Sequence, residues 1–342
     1  MRCLALAQAL QRAGCRVTFI SRRAQDHLID RVRGAGIETL ELPQVSHRAK
    51  PGLWLGASED DDARQTAAAL ASLGEPVAWL VADNFGIGAA WERRVRPAVR
   101  CMLTLDDRLE FDRACDALLY PQAITPQTKP LLERHRAAGI RVFAGPQFFI
   151  LPQRIEQARA SAKPRDGIPE NVLVAFGGAT KADLAASAVT AVRNAGSTAT
   201  IHLVLGTGGL HAESFRRQLA DVPNLRVYDH VERIEELYAK CELAIGSDGI
   251  MQFERCLLGL PSIVVPVETH WAWSARALQE AGCVLTLRDA DHVTGPELRA
   301  AVASIVNDPK AVGSMSAACL RYMAAHEPLD GGALVRFLLT GT

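Results

Sequence analysis

The sequence predicts an α/β protein of two domains, each built on a parallel β-sheet. Three observations carry this. Short apolar segments alternate with helix-patterned ones along the whole chain, and several of those segments are hydrophobic at every position. A charged, proline-bounded stretch from 152 to 169 interrupts the alternation near the middle. Strands that are apolar on both faces need cover on both, which parallel sheets obtain from their crossover helices. A length of 342 residues has room for two such cores.

Taken in order, an alanine- and leucine-rich helix over 3–13 ends at Gly14, where a glycine suits the left-handed turn after a helix. The β-branched segment RVTFIS at 16–21 reads as a buried strand. A helix over 25–35 closed by Gly36, a strand over 38–42 and a polar loop over 44–58 follow. Next come a helix over 60–73, the strand VAWLVAD at 77–83, apolar up to its closing Asp83, a helix over 89–97 and strands at 100–105 and 117–119. A helix over 127–138 and a strand at 141–144 finish the first domain, placed at 1–152. In the second domain, 153–342, strands at 171–176, 200–205, 225–228, 242–246, 262–266 and 283–286 alternate with helices over 181–195, 211–220, 233–239, 250–259 and 271–281. Helices over 294–306 and 310–325 close it, and a last helix at 331–340 is long enough to cross back to the first domain.

Lysine plus arginine (38) equals aspartate plus glutamate (38), so there is no basic excess of the kind a nucleic-acid partner demands. No apolar run reaches the ~20 residues that span a bilayer, and the N-terminus has no signal-peptide pattern. The eight cysteines form no C-x-x-C pair, and no metal-ligand cluster is expected of them; they read as reduced core residues of a cytoplasmic chain. No metal, no cofactor and no stable membrane insertion are expected, and the oligomeric expectation is a monomer or weak dimer.

In parallel sheets, ligands sit beyond the carboxyl ends of the strands. Three glycine turns lie at such ends in the second half: Gly177-Gly178, Gly206, and Gly246-Ser247-Asp248-Gly249. Glycine admits close backbone approach, and a following helix offers unpaired N–H groups and a partial positive charge to phosphate. One such turn alone is more often simple strand termination; three in one sheet favour an anion site. Neither G-x-G-x-x-G nor G-x-x-x-x-G-K-[ST] occurs at these turns, which counts against dinucleotide and P-loop sites. Asp248 beside a diphosphate would repel it, so it is expected either to point away or to cap the helix at 250–259, capping being the commoner role.

Several further segments occur in a recognisable order. They are MRCLALAQAL at the start, LVADNFGIGAAWE at 80–92, LTLDD at 103–107, CDALLYPQ at 115–122 and AGPQFFILP at 144–152, then VLVAFGG at 172–178, ELAIGSDGIMQFERCLLGLPSIVV at 242–265 and LDGGALVR at 329–336. With them the chain resembles the UDP-sugar hydrolases of pseudaminic acid biosynthesis and the related spore-coat polysaccharide proteins. These share a GT-B-type fold, two Rossmann-like domains facing a cleft, with the peptidoglycan N-acetylglucosaminyltransferase. The resemblance implies that Glu254 pairs with the ribose of uridine. It implies that Gly177, Gly178, Gly206, Ser247, Asp248 and Gly249 cradle the diphosphate, and that the 230–234 segment around Val231 meets the uracil. Asp83, Asn84 and Trp91 fall where the family presents its sugar-facing residues; Asp83, Asn84 and Phe85 are the catalytic candidates there, and Trp91 and Thr269 the substrate-binding ones, although Trp91 alone is more often core. His270 is a catalytic candidate only as a substitute for the family's water-activating histidine, a lone histidine after a strand being more often structural.

The family begins with one more strand and a glycine-rich loop whose histidine activates water, and this sequence opens after that loop. Phe85 replaces a usual tyrosine, and Thr269-His270 an Asn-Gln pair. A strand between 16–21 and 77–83 would bury three or four aliphatic side chains worth roughly 5–10 kcal/mol, against a domain stability of about 5–15 kcal/mol; the expectation is a native product starting upstream. A positioned base contributes about 10²–10⁴-fold. The leading functional expectation is a hydrolase releasing UDP, with inversion, from a UDP-linked 2,4-diacetamido-2,4,6-trideoxyhexose. The alternatives are a GT-B glycosyltransferase and a catalytically impaired paralogue that binds the same nucleotide-sugar.

Overall fold

Helix and strand follow one another through the computed structural model, which describes residues 2–23, 29–43, 55–177, 182–206, 212–267, 269–326 and 331–341. They group into two compact units: Met1–Leu151 with Leu329–Thr342, and Pro152–Pro328.

Unit 1 starts with α1 (Arg2–Arg12), β1 (Thr18–Arg22), α2 (Ile29–Gly34) and β2 (Glu38–Leu42). It continues through α3 (Glu59–Ser72), β3 (Val77–Ala82), α4 (Ala89–Val95), β4 (Val99–Leu105), β5 (Ala117–Tyr120), α5 (Lys129–Ala137) and β6 (Arg141–Ala144). Helix α3 begins where Ser58 accepts a hydrogen bond from the Asp61 amide, with four acidic residues in its first turn; both devices satisfy the positive end of the helix. All pairings are parallel, as the uninterrupted hydrophobicity of β5 requires. The strands form a four-stranded sheet ordered β3-β4-β5-β6 and a separate pair β1-β2. The family resemblance puts a strand between β1 and β3; among the described residues these two strands do not pair and lie in different sheets. Both are only partly buried, whereas β5 is buried throughout.

Unit 2 contains α6 (Gln153–Arg159), β7 (Asn171–Ala175), α7 (Ala182–Asn194), β8 (Thr200–Val204), α8 (Ala212–Gln218), β9 (Leu225–Tyr228), α9 (Ile234–Lys240) and β10 (Leu243–Gly246). Then come α10 (Ile250–Leu257), β11 (Ser262–Val264), α11 (Ala272–Glu280), β12 (Val284–Thr286), α12 (Gly295–Val306) and α13 (Pro309–Ala324). Helix α6 occupies part of the proline-bounded stretch at the junction. A capping box between Thr294 and Glu297 starts α12, and Asp308 with Pro309 starts α13. The final helix, α14 (Gly331–Thr340), belongs to unit 1. Its Leu334, Phe337 and Leu338 pack with Leu103, Leu119 and Phe143, the Phe337 ring 4.9 Å from that of Phe143.

The unit 2 sheet is wholly parallel, ordered β12-β11-β10-β7-β8-β9. The chain winds outward from β7 through β8 to β9, then returns to the other side of β7 with β10. The crossovers therefore diverge between β7 and β10, which opens a crevice at their carboxyl ends.

Candidate functional site

The strand order brings the predicted glycine turns of unit 2 onto one edge. Gly177 follows β7, Gly206 follows β8, Ser247 to Gly249 follow β10, and the turn at Thr269–Trp271 follows β11. These four strands are neighbours in the sheet, and the switch point falls between the first and third turns. Gly178 lies outside the described residues. Gly177, Gly206 and Gly249 have φ of 76°, 82° and 86°, left-handed values that favour glycine. A Cβ on Gly177 would meet Met251 Sδ at 3.2 Å, so the turn after β7 sits directly against the first turn of α10.

Inside that edge, α10 turns three polar side chains into the protein. Glu254 is 8% exposed and accepts a hydrogen bond from the Tyr238 hydroxyl of α9 at 3.1 Å. Burial pushes its carboxyl up to about 7, partly offset by that hydrogen bond and by the charges of Arg255 and Arg154. Arg255, next along α10, is fully buried and donates to the Ser247 carbonyl at 2.7 Å and to Ser262 Oγ at 2.9 Å. Arg255 thus ties the loop after β10 to the start of β11. Asp248, expected to cap α10, accepts from the Val267 amide at 3.1 Å, joining the loops after β10 and β11; the N-cap of α10 is Gly249, with no side-chain cap. Val231 is half-buried in the segment leading into α9. The backbone of Thr269 is in a 3-10 turn, and the half-buried His270 ring lies 5.9 Å from that of Trp271.

Sequence reasoning passed over Gln252 and Tyr238. Gln252 is fully buried, yet neither its Oε1 nor its Nε2 has a hydrogen-bond partner. A buried, unpaired amide is costly, so Gln252, on the helix that follows the Ser247–Gly249 turn, is a candidate partner for a polar ligand. Its signal in the sequence is its place two residues before Glu254.

Unit 1 presents a second cluster at the carboxyl ends of β3 and β4. Arg2 donates through Nε and Nη2 to both oxygens of Asp83, at 2.9 and 2.7 Å, and through Nη1 to Asp107 Oδ2 at 2.7 Å. Cys3 Sγ also donates to Asp83. Burial favours the neutral acid at Asp83, but Arg2 outweighs it and holds the carboxyl below its ordinary value. Asp83 is therefore a fixed anion rather than a poised proton acceptor. Asp107, in the LTLDD segment, behaves oppositely. Burial raises its carboxyl, and its Oδ1 has no hydrogen-bond partner. Asn84 Oδ1 accepts from the Gly86 amide at 2.8 Å, and the Arg108 guanidinium lies 4.3 Å from the centre of the Phe85 ring.

Trp91, a candidate sugar contact, packs as a core residue. Trp91 is 5% exposed within the core that contains Val95, Leu118 and Leu132, and its indole N–H donates to Asp62 Oδ1 at 2.9 Å. Its face is covered and its one donor is used, so it is a core residue of α4. Trp91→Phe is expected to cost about 1 kcal/mol, the net worth of that bond, in urea unfolding, with ligand affinity unchanged.

One correction concerns the cysteines. Cys256, Cys283 and Cys319, far apart in sequence, have their sulfurs within 4.8 Å of one another in unit 2. Absence of a local spacing motif did not mean absence of a cluster.

Comparison with known proteins agrees with this architecture. Residues 172–327 match the family model described as the glycosyltransferase family 28 C-terminal domain. The UDP-N-acetylglucosamine–N-acetylmuramyl-(pentapeptide) pyrophosphoryl-undecaprenol N-acetylglucosamine transferase of Desulforudis audaxviator is 31% identical over 181 residues, 48% of either chain. The spore coat polysaccharide biosynthesis protein SpsG of Bacillus subtilis is 24% identical over 149 residues, 43% of this chain and 44% of its own. The matches thus span about half the length of these relatives or less. Among solved structures, Acinetobacter baumannii MurG aligns over 99% of this chain and 95% of its own with a TM-score of 0.64 at 17% identity. Os79 from O. sativa, solved in complex with UDP, aligns over 100% and 98% with a TM-score of 0.68 at 14% identity. No helix among the described residues is long and apolar enough to cross a membrane. The chain therefore has an α/β fold of the GT-B type, two Rossmann-like parallel-sheet domains, and its residues 172–327 are similar to the C-terminal domain of family 28 glycosyltransferases.

Proposed function

We propose that this chain is a GT-B glycosyltransferase that binds a UDP-sugar through unit 2 and transfers the sugar to an acceptor. The observation that carries the reading is the convergence of Gly177, Gly206, Ser247 and Gly249 on the carboxyl edge at the β7/β10 switch point, with buried Glu254 on the helix that follows. Backbone amides at that edge take the diphosphate, and the amides of the first turn of α10 stabilise charge as UDP departs. Glu254 accepts hydrogen bonds from the ribose hydroxyls, and the Gln252 amide supplies a further polar contact. Asp83, Asn84 and Phe85 remain the candidates of unit 1 for the sugar side, with Asp107 added as a proton acceptor. The names of the matched relatives, transferases in the main, support transfer over hydrolysis.

The hydrolase of a UDP-linked diacetamido-trideoxyhexose stands as the second reading, favoured by the motif order that includes LVADNFGIGAAWE and ERCLLGLP. One experiment tests both. UDP release is followed from a panel of UDP-sugars, with and without lipid-linked and soluble glycosyl acceptors. Release that requires an acceptor is the expected result. Release into water alone replaces transfer with hydrolysis, and an absence of UDP binding by calorimetry removes both.

A further inference from the structure

We propose that Cys256, Cys283 and Cys319 form a binding site for one soft, thiophilic d10 metal ion, Cu(I) or Zn(II), within unit 2. The proposal is independent of the nucleotide reading. The three cysteines come from three elements: Cys256 from α10, Cys283 from the turn entering β12, and Cys319 from α13. All three are fully buried. Cys319 Sγ lies 3.7 Å from Cys256 Sγ and 3.3 Å from the Cys283 carbonyl oxygen, and all three sulfurs fall within 4.8 Å of one another. A metal–thiolate bond of about 2.3 Å puts sulfurs about 3.8 Å apart around a tetrahedral ion and about 4.0 Å apart around a trigonal one. The 3.7 Å separation of Cys256 and Cys319 suits one shared ion and is far beyond a disulfide's ~2 Å, and the Cys283 sulfur lies no more than 4.8 Å from either.

The scaffold fixes this spacing. A Cβ added at Gly259, after α10, would lie 3.0 Å from Leu320 of α13, and one at Gly282 would lie 3.7 Å from Ala318. The cysteine-bearing elements are therefore held in close contact before any ion arrives. Charge balance is also available. Each ligating thiol gives up its proton on binding, and the positive charges of Arg255, next to Cys256 in sequence, and of Arg321 favour the thiolate form. No histidine, aspartate or glutamate joins the group among the described residues. An all-sulfur set selects soft ions over Mg(II) or Ca(II).

The test uses the full chain, reduced and stripped of metal. Cu(I) is titrated against a chromophoric Cu(I) chelator, and Zn(II) against a zinc indicator, the two arms separating the ions. One equivalent of either ion bound at least 100-fold more tightly than by Cys283→Ser is expected, with Cys101→Ser binding like the unmodified chain. X-ray absorption of the loaded unmodified chain is expected to show three sulfurs at about 2.3 Å, a readout that stands even where a variant fails to fold. Failure of both ions to bind, equal affinity in Cys283→Ser, or a shell with fewer than three sulfurs overturns the proposal.

Discussion

Glu254→Gln is expected to weaken UDP binding about ten- to a hundred-fold at pH 8 while making the unliganded protein more stable. The two effects share one cause. A hydrogen bond to a buried carboxylate contributes about 1.5–3 kcal/mol, and the amide accepts more weakly than the anion. The same burial that sharpens the contact raises the carboxyl from an ordinary 4.5 to about 7. Between those values the folded chain holds a proton that the unfolded chain has released. Stability therefore falls as pH rises from 4.5 to 7 and is level above, a loss on the order of 3 kcal/mol. Glutamine carries no such charge and keeps an acceptor for the Tyr238 hydroxyl, so its unfolding free energy loses that slope. UDP affinity of the unmodified chain should increase as pH rises through 7, because the ribose hydroxyls donate to the ionised form. Calorimetric titration with UDP at pH 6 and 8, beside urea unfolding at the same values, checks both halves. Equal UDP affinity in Glu254→Gln at pH 8 would remove Glu254 from the nucleotide site.

Gly246→Ala should be the most damaging single methyl in unit 2. The new Cβ would sit 2.3 Å from the Ala175 carbonyl oxygen and 2.9 Å from Arg255 Nη1. The first neighbour is backbone of β7, paired in register with Gly246 and enclosed between β10 and β8, so it has nowhere to go. The second is a guanidinium that secures the Ser247 loop. Overpacking of this kind costs about 3 kcal/mol, and UDP affinity should fall with it because Ser247 moves. Gly34→Ala is the matched control. It lies at the end of α2 with nothing within 4 Å of the new Cβ, and alanine's higher helix propensity makes it neutral or slightly stabilising. Chemical unfolding of the two variants beside the parent makes the comparison; equal midpoints for all three would contradict the close approach of β10 to β7.

The order and type of nearly every described element was legible in the sequence, because period and apolarity are local properties of the chain. VAWLVAD and NVLVAF announce strands, and the second is covered on both faces as its apolarity predicts, whereas the first is only partly buried. The place of Glu254 on the helix that follows a glycine turn was legible. The side-chain partners were not. Arg2 meets Asp83 and Asp107 across 81 and 105 residues, and Cys319 meets Cys256 across 63. Trp91 was covered by Asp62 and its core rather than offered to a ligand, and Asp248 bonded a loop rather than its own helix. Contacts of this kind depend on which strands become neighbours, and two sheets with the same elements in a different order would have the same local patterns. The sequence by itself determined the α/β alternation and the residues that end each strand. The tertiary structure decided which of those ends share an edge, because only the return of β10 beside β7 sets the loop carrying Ser247 next to the one carrying Gly177.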